Sequence, residues 1–290
     1  MLPNNFLKDP QELLAAVIGG LVATFFFTPM VLLFLFLSYG KEVGIMASVL
    51  TLAVSVFVLD GLLLAQLVLF SIVPAVVVGF SYVRYIPKEE KIWWYPESFV
   101  LRDMVGTFFV SLLLLSIMPH FEQIQAHTVE AIRLLTPASN AQPLMTIFNK
   151  ALFGIFAFAN MVNVVFSFFL AKFLSKCLKK GIRPDYDGCN VSISPLLGVF
   201  PLVSFAIIAL FADAAQIFYG LAAISLMAPL LAGISLMHFF MNNRKNTKIL
   251  LIIFYLLFFL MPIFTIFVML LGIIDAFYAI RPFVKNQTTF

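Results

Sequence analysis

Residues 151–171 read ALFGIFAFANMVNVVFSFFLA, an uninterrupted run of 21 uncharged residues between Lys150 and Lys172. A run of this length crosses the hydrocarbon core of a bilayer as one helix, because about 20 residues at 1.5 Å rise cover about 30 Å. Two carboxamides, Asn160 and Asn163, lie inside the run, with Asn160 near the midplane. A carboxamide that faced lipid would leave its donors and acceptor unpaired at a cost of several kcal/mol. We therefore expect both to point into a helical bundle.

The whole chain has the composition of a membrane protein. Of its 290 residues, 62% are hydrophobic and 11% are charged, compared with about 25% charged residues in a soluble domain. The apolar residues come in long blocks that lack the alternating polarity of β-barrel strands. The sequence predicts an all-α fold, a polytopic transmembrane helical bundle in which residues 1–290 form a single integral membrane domain.

Eight apolar segments are candidate membrane spans. Pro29 interrupts the first segment, and Met261 and Pro262 interrupt the last, so each of these two is either one bent helix or two short arms. The first segment follows no basic region and precedes no small-residue cleavage site, which favours a retained span over a signal peptide. The eight segments cover residues 13–37, 44–59, 61–83, 103–119, 146–171, 196–212, 216–240 and 249–280.

The distribution of lysine and arginine predicts the orientation of the spans. Three loops rich in these residues, 84–102, 172–195 and 241–248, are expected to be cytoplasmic. The intervening connections at Asp60, at 120–145 and at Asp213 are poor in positive charge and are expected on the opposite side.

The position of the C-terminus stays open on this pattern. Eight complete spans would place both termini outside, whereas Arg281 and Lys285 after the last span favour a cytoplasmic end. A break at Pro262 that divides the last segment into two arms would return the C-terminus to the cytoplasmic side. Both alternatives remain.

The segment 120–145 is predicted to form one amphipathic helix on the membrane surface, because an apolar stripe and a polar line run beside each other at helical spacing. A zinc site in the polar line is the alternative, but His120 and His127 are two helical turns apart, about 10 Å, and cannot close around one ion. We expect no metal. The apolar stripe is Phe121, Ile124, Thr128, Ile132 and Leu135, and the polar line is His120, Gln123, His127 and Glu130.

Few polar residues inside the spans are candidates for a site. Gln66, Asn160 and Asn163 are the ligand-binding candidates, as lining of a cavity for a small polar solute. The alternative for the amides is hydrogen bonding between helices, worth about 0.6 kcal/mol per bond. Asp60 and Asp275 lie near span ends and are candidates for a functional or a packing role.

Several functional classes have no support in the sequence. HExxH, GxSxG, Walker and Asp-rich motifs are absent, so we expect neither enzyme activity nor a cofactor. No span carries a charge at its centre, which argues against an ion-coupled transporter. The scattered basic residues give no support for nucleic-acid binding. Cys177 and Cys189 lack metal-site spacing, and no internal repeat is visible.

Four stretches in one order resemble the YybS-like family of bacterial membrane proteins, which are distantly similar to the S components of energy-coupling-factor transporters. The resemblance implies a helical bundle with an extracytoplasmic ligand pocket and an ATPase-bearing transport module as partner. The resemblance favours Asn163 and Asp275 as functional residues. The sequence offers no charged group to bind a vitamin carboxylate or phosphate. The stretches are Trp94-Tyr95-Pro96, Asn163 followed by LAKFL, Arg183-Pro184 and LGIIDAFYAIR at Leu271–Arg281.

Two hypotheses follow for the function. The first is a multi-pass protein of the bacterial cytoplasmic (inner) membrane that binds a small solute as an S-component-like uptake subunit. The alternative is a non-transporting membrane scaffold that binds other envelope or cytoplasmic proteins through its basic loops and the 120–145 helix. Under both hypotheses, most of the chain is embedded in the lipid bilayer.

Overall fold

The computed structural model describes residues 26–88, 91–94, 97–117, 141–179, 191–211, 216–242, 246–278 and 280. The described elements are almost all helical. In chain order they are α1 (Phe26–Tyr39), α2 (Lys41–Val58), α3 (Gly61–Leu67), a π-helical turn (Val68–Ile72), α4 (Val73–Val83), β1 (Tyr85–Lys88), β2 (Lys91–Trp94), α5 (Glu97–Ile117), α6 (Ala141–Cys177), α7 (Pro195–Leu210), α8 (Gln216–Ser225), α9 (Met227–Asn242), α10 (Thr247–Leu260) and α11 (Pro262–Tyr278).

Five helices of the described part are long and apolar enough to cross a membrane, or six if the bent pair α10 and α11 is one span. They confirm the helical membrane class and five of the predicted segments. The count of eight is not confirmed, because α7 has only 16 residues and α1 is described from Phe26 onward. The five are Lys41–Val58, Leu63–Val83, Phe99–Ser116, Gly154–Cys177 and Ile217–Asn242.

The last apolar segment is divided at Met261, as the proline beside it predicts. The axes of α10 and α11 differ in direction by 113°. A hydrogen bond of 3.2 Å from Thr265 Oγ1 to the carbonyl of Phe258 bridges the break. The segment therefore consists of two helices joined at a sharp bend, while its arrangement as two arms and the side of the C-terminus stay predictions.

The basic loop between α4 and α5 contains a short antiparallel hairpin that the sequence analysis did not predict. β1 pairs with β2 so that Tyr85 is opposite Trp94 and Lys88 is opposite Lys91. Aromatic and β-branched residues favour this extended pairing. The predicted surface helix at 120–145 lies outside the described residues, except that 141–145 form the start of α6.

The chain divides into two compact units. Unit 1 comprises Met1–Val83 and Asn163–Arg183, and unit 2 comprises Arg84–Val162 and Pro184–Phe290. The 37-residue helix α6 contributes to both, since the division falls between Val162 and Asn163. The prediction of one integral domain stays a prediction.

Unit 1 is built around the buried ring of Phe36 on α1. The ring lies against Gly44 of α2 and Gly79 of α4, where an added methyl group would overlap it. At the end of α1, the hydroxyls of Ser38 and Ser175 share a hydrogen bond of 2.5 Å, which joins α1 to the last turns of α6. Small residues at these positions let the helices of this unit approach closely.

Unit 2 contains a direct backbone contact between α9 and α11. A methyl group at Gly233 would overlap the carbonyl oxygen of Val268, and one at Gly272 would overlap that of Pro229. These pairs run in opposite order along the two helices, so α9 and α11 are antiparallel. Because backbone atoms cannot be moved aside as a flexible side chain can, the two glycines fix this contact.

We expect Gly272→Ala to lower the free energy of unfolding by about 3 kcal/mol or more, since overpacking at a backbone contact forces the helices apart. Thermal unfolding of the purified protein in detergent measures the change. The matched control is Gly106→Ala on α5, where a methyl group meets nothing within 4 Å and the helix gains up to about 1 kcal/mol. Equal melting temperatures of the two variants would contradict the contact.

Candidate functional site

The two asparagines of α6 are half-buried and differ in their surroundings. The Nδ2 of Asn160 donates a 2.9 Å hydrogen bond to the carbonyl of Phe156 on its own helix. The Oδ1 of Asn163 is shielded from solvent. Asn160 belongs to unit 2 and Asn163 to unit 1. The local bond of Asn160 favours a structural role for that residue.

Ser167, one turn after Asn163, is the polar residue of α6 that the sequence analysis missed. Its side chain is 1% exposed, and no described residue offers its hydroxyl a hydrogen bond. An unsatisfied buried hydroxyl costs about 1–3 kcal/mol. Together Asn163 and Ser167 place an amide and a hydroxyl on neighbouring positions of one helix face.

This face of α6 points into unit 1. The positions at four-residue spacing after Asn163 are Ser167, Ala171 and Ser175, and these three are buried. Ser175 bonds Ser38 of α1. The opposite face carries Val162, Phe166 and Phe169, each 42–51% exposed, as expected of a lipid-facing surface. The polar pair therefore lies on the interior side of the helix.

Gln66 is half-buried on α3, two residues before the π-helical turn begins at Val68. Within that turn Ser71 is fully buried at 0% exposure, and none of the described residues accepts or donates a hydrogen bond at its hydroxyl. Pro74 follows and lacks the backbone N–H that would continue the α-helical bonds, which accounts for the widened turn. Serine three residues before a mid-span proline is the sequence signal that would have indicated Ser71.

Ser71 and Ser167 mark two positions in unit 1. The ring of Phe168, the residue after Ser167, packs edge-on against Tyr82 with centroids 5.3 Å apart. Tyr82 lies eleven residues beyond Ser71, which is about 16 Å along a helix. Ser167 is thus close to the end of α4, whereas Ser71 is near the middle of the Leu63–Val83 span.

The two aspartates are not part of this polar set. Asp60 caps α3, because its Oδ1 accepts a 2.8 Å hydrogen bond from the backbone N–H of Leu63. Asp275 of unit 2 is 4% exposed, and its Oδ1 accepts a 3.1 Å hydrogen bond from the N–H of Ile280. Both contacts are those of helix-end residues.

The serine hydroxyls of α2 are hydrogen-bonded within their own helix. Ser48 donates to the carbonyl of Gly44 at 2.8 Å, and Ser55 donates to that of Thr51 at 2.7 Å. Such i to i−4 bonds leave little capacity for a ligand. No group of three potential metal ligands occurs among the described residues.

No protein-family model, curated protein or solved structure matches the chain. The resemblance to the YybS-like family therefore stays a prediction, and the candidate site is defined by its own residues.

We expect Asp60→Ala to lower the free energy of unfolding by about 1 kcal/mol, because the cap of α3 is lost. Asp60→Asn keeps an acceptor at the same place and is expected to melt close to the wild type. Thermal unfolding in detergent distinguishes them. A functional role for the charge at Asp60 would instead leave both variants equally impaired in function while their stability is unchanged.

Proposed function

We propose that the protein binds a small uncharged polar solute within unit 1 and serves its uptake across a bacterial cytoplasmic membrane. The observation that carries the proposal is the buried hydroxyl of Ser167, which no described residue satisfies, one turn from the shielded amide oxygen of Asn163. A solute that hydrogen-bonds to Ser167 recovers the cost of keeping this hydroxyl from water.

The chemistry of the interior favours an uncharged solute. Serine hydroxyls are the fully buried polar groups of unit 1 in its described part, and no charged side chain is buried among them. A carboxylate or phosphate would enter without a counter-charge, which is costly at low dielectric. Hydroxyls and a carboxamide both donate and accept, so they suit amides, alcohols and neutral heterocycles.

The uptake part of the proposal requires a partner. Walker motifs are absent from the sequence, so the energy for transport would come from an ATPase-bearing module. Such a partner agrees with the resemblance to S components. Bound helices of the module would contact the bilayer-facing surface. Among the five candidate spans, α2 has the smallest buried share, 17%, which makes it the best candidate for this contact.

A thermal-shift screen of the purified protein against vitamins and nucleosides that carry no charge tests the binding. We expect at least one solute to raise the melting temperature, and Asn163→Leu and Ser167→Ala to remove most of that rise. The matched control is Ser48→Ala, which removes a buried hydroxyl that is satisfied by Gly44 and should keep the rise. The absence of any stabilising solute, with Asn163→Leu melting as the wild type, would contradict a solute site.

The scaffold alternative predicts a different outcome of the same variants. Asn163→Leu would then change stability alone, and affinity purification from membranes would recover other envelope proteins in place of an ATPase-bearing module.

A further inference from the structure

One end of unit 1 carries a cluster of lysines. The end of α6 and the turn after it contribute three of them, and the first residue of α2 is the fourth. Three of the four side chains are exposed. The fourth, Lys172, is half-buried, with its ammonium group 5.9 Å from the centre of the Tyr82 ring. This lysine cluster consists of Lys41, Lys172, Lys176 and Lys179.

A hydrogen bond between α1 and α6 brings Lys41 to the lysines of α6. Ser175, which is bonded to Ser38 at 2.5 Å, is next to Lys176 in the chain. Lys41 follows Ser38 by three residues, which span at most about 11 Å. Gly40, with a φ of 94°, makes the sharp turn between α1 and α2. The lysine cluster is therefore gathered at one end of the unit.

Positive charge is in excess at this end. Among the described residues of unit 1, Glu42 is the acidic side chain beside the cluster, so four lysines and one glutamate leave a net charge of +3. Asp60 lies beyond the other end of α2, about 27 Å away along 18 residues of helix. The sequence continues the pattern, since 172–183 contains five basic residues and no acidic one. This end of unit 1 therefore attracts anions.

The lysine cluster lies at the depth of the lipid headgroups. The uncharged run 151–171 covers the hydrocarbon core of about 30 Å, so Lys172 is at the edge of the core and Lys176 is about 6 Å beyond it along the helix. Headgroups occupy about 5–8 Å on each side of the core. Tyr39, which is 46% exposed at the end of α1, is of a residue type enriched at this level. The ammonium groups are thus level with the phosphates of the bilayer.

Apolar side chains exposed to lipid lie beside the lysines on α6. Phe169 is three residues before Lys172. Phe173 is three residues before Lys176, and residues at this spacing are neighbours on a helix surface. The two rings are 48% and 59% exposed. A molecule with a negatively charged headgroup and apolar chains contacts both rows, which favours a phospholipid over a soluble anion or an acidic peptide.

We propose that the lysine cluster binds the headgroup of an anionic phospholipid whose acyl chains lie along Phe169 and Phe173. Each lysine ammonium donates to the phosphate oxygens, and the rings contact the hydrocarbon chains. Basic residues that directly follow a span on its cytoplasmic side are typical of such lipid sites, and the loop 172–195 is predicted to be cytoplasmic. The inference does not depend on the proposed uptake function, because Ser167 lies on the interior face of α6.

Thermal unfolding of the full chain in an uncharged detergent, titrated with phosphatidylglycerol, tests the nature of the ligand. We expect phosphatidylglycerol to raise the melting temperature. Phosphatidylcholine has no net charge and inorganic phosphate has no acyl chains, so neither is expected to raise it at the same phosphate concentration. An equal rise with either of them would overturn the assignment to an anionic phospholipid.

Charge-neutral variants test the position of the site. Each lysine near the membrane surface strengthens binding of anionic lipid about fivefold. Lys41→Gln combined with Lys176→Gln is therefore expected to need about 25-fold more phosphatidylglycerol for the same rise in melting temperature. Lys176→Arg keeps the charge and is expected to match the wild type. The matched control is Lys248→Gln, which removes an exposed lysine of α10 in unit 2 and should leave the response unchanged.

A general attraction between basic loops and anionic lipid predicts a different result. Lys248→Gln would then weaken the response as much as Lys176→Gln does. That result, or an unchanged response of the double variant, would overturn the site. Should the double variant be poorly expressed, Lys41→Gln alone, with an expected fivefold change, decides the same question.

Discussion

The close approach of helix backbones at glycine is the constraint on which the rest of this structure depends. Helices dissolved in lipid gain no hydrophobic energy by associating, so van der Waals contact between closely packed surfaces has to hold them together. Gly233 and Gly272 bring α9 and α11 to backbone contact in unit 2. In unit 1, Gly44 and Gly79 leave the space that the Phe36 ring occupies. Each unit thus has its own tightly fixed centre.

Because closely packed helices hold the centre of each unit in place, the presence or absence of a hydrogen bond at each buried hydroxyl indicates the role of that residue. Several serines in these helices bond a carbonyl of their own helix, as Ser48, Ser204 and Ser225 do. Such serines pack as small residues, and their hydroxyls need no hydrogen bond from a neighbouring helix. Ser71 and Ser167 lack that local solution among the described residues, and both belong to unit 1. Within the described part of the chain, the buried hydroxyls that lack a hydrogen bond therefore lie in unit 1.

Hydropathy predicted the membrane class and five spans because burial in lipid demands long apolar runs whatever the packing. The division at Met261 was also predictable, since a proline removes a helical hydrogen bond wherever it occurs. Whether a polar side chain finds a hydrogen-bond partner was not predictable from the sequence. Asn160 attracted attention as an amide in an apolar run, yet its own helix supplies a partner. Ser71 and Ser167 looked ordinary, because hydrogen bonding depends on backbone geometry that composition does not record.

The length of α6 has a practical consequence for imaging. Its 37 residues extend about 55 Å, nearly twice the thickness of the hydrocarbon core of about 30 Å. The uncharged run 151–171 accounts for one crossing, and the ten helical residues before it, 141–150, extend the helix beyond that run. A protein of 32.5 kDa offers few landmarks for aligning single-particle images. This helical extension is a point at which a fused helical tag or the epitope of an antibody fragment can be joined to the same helix.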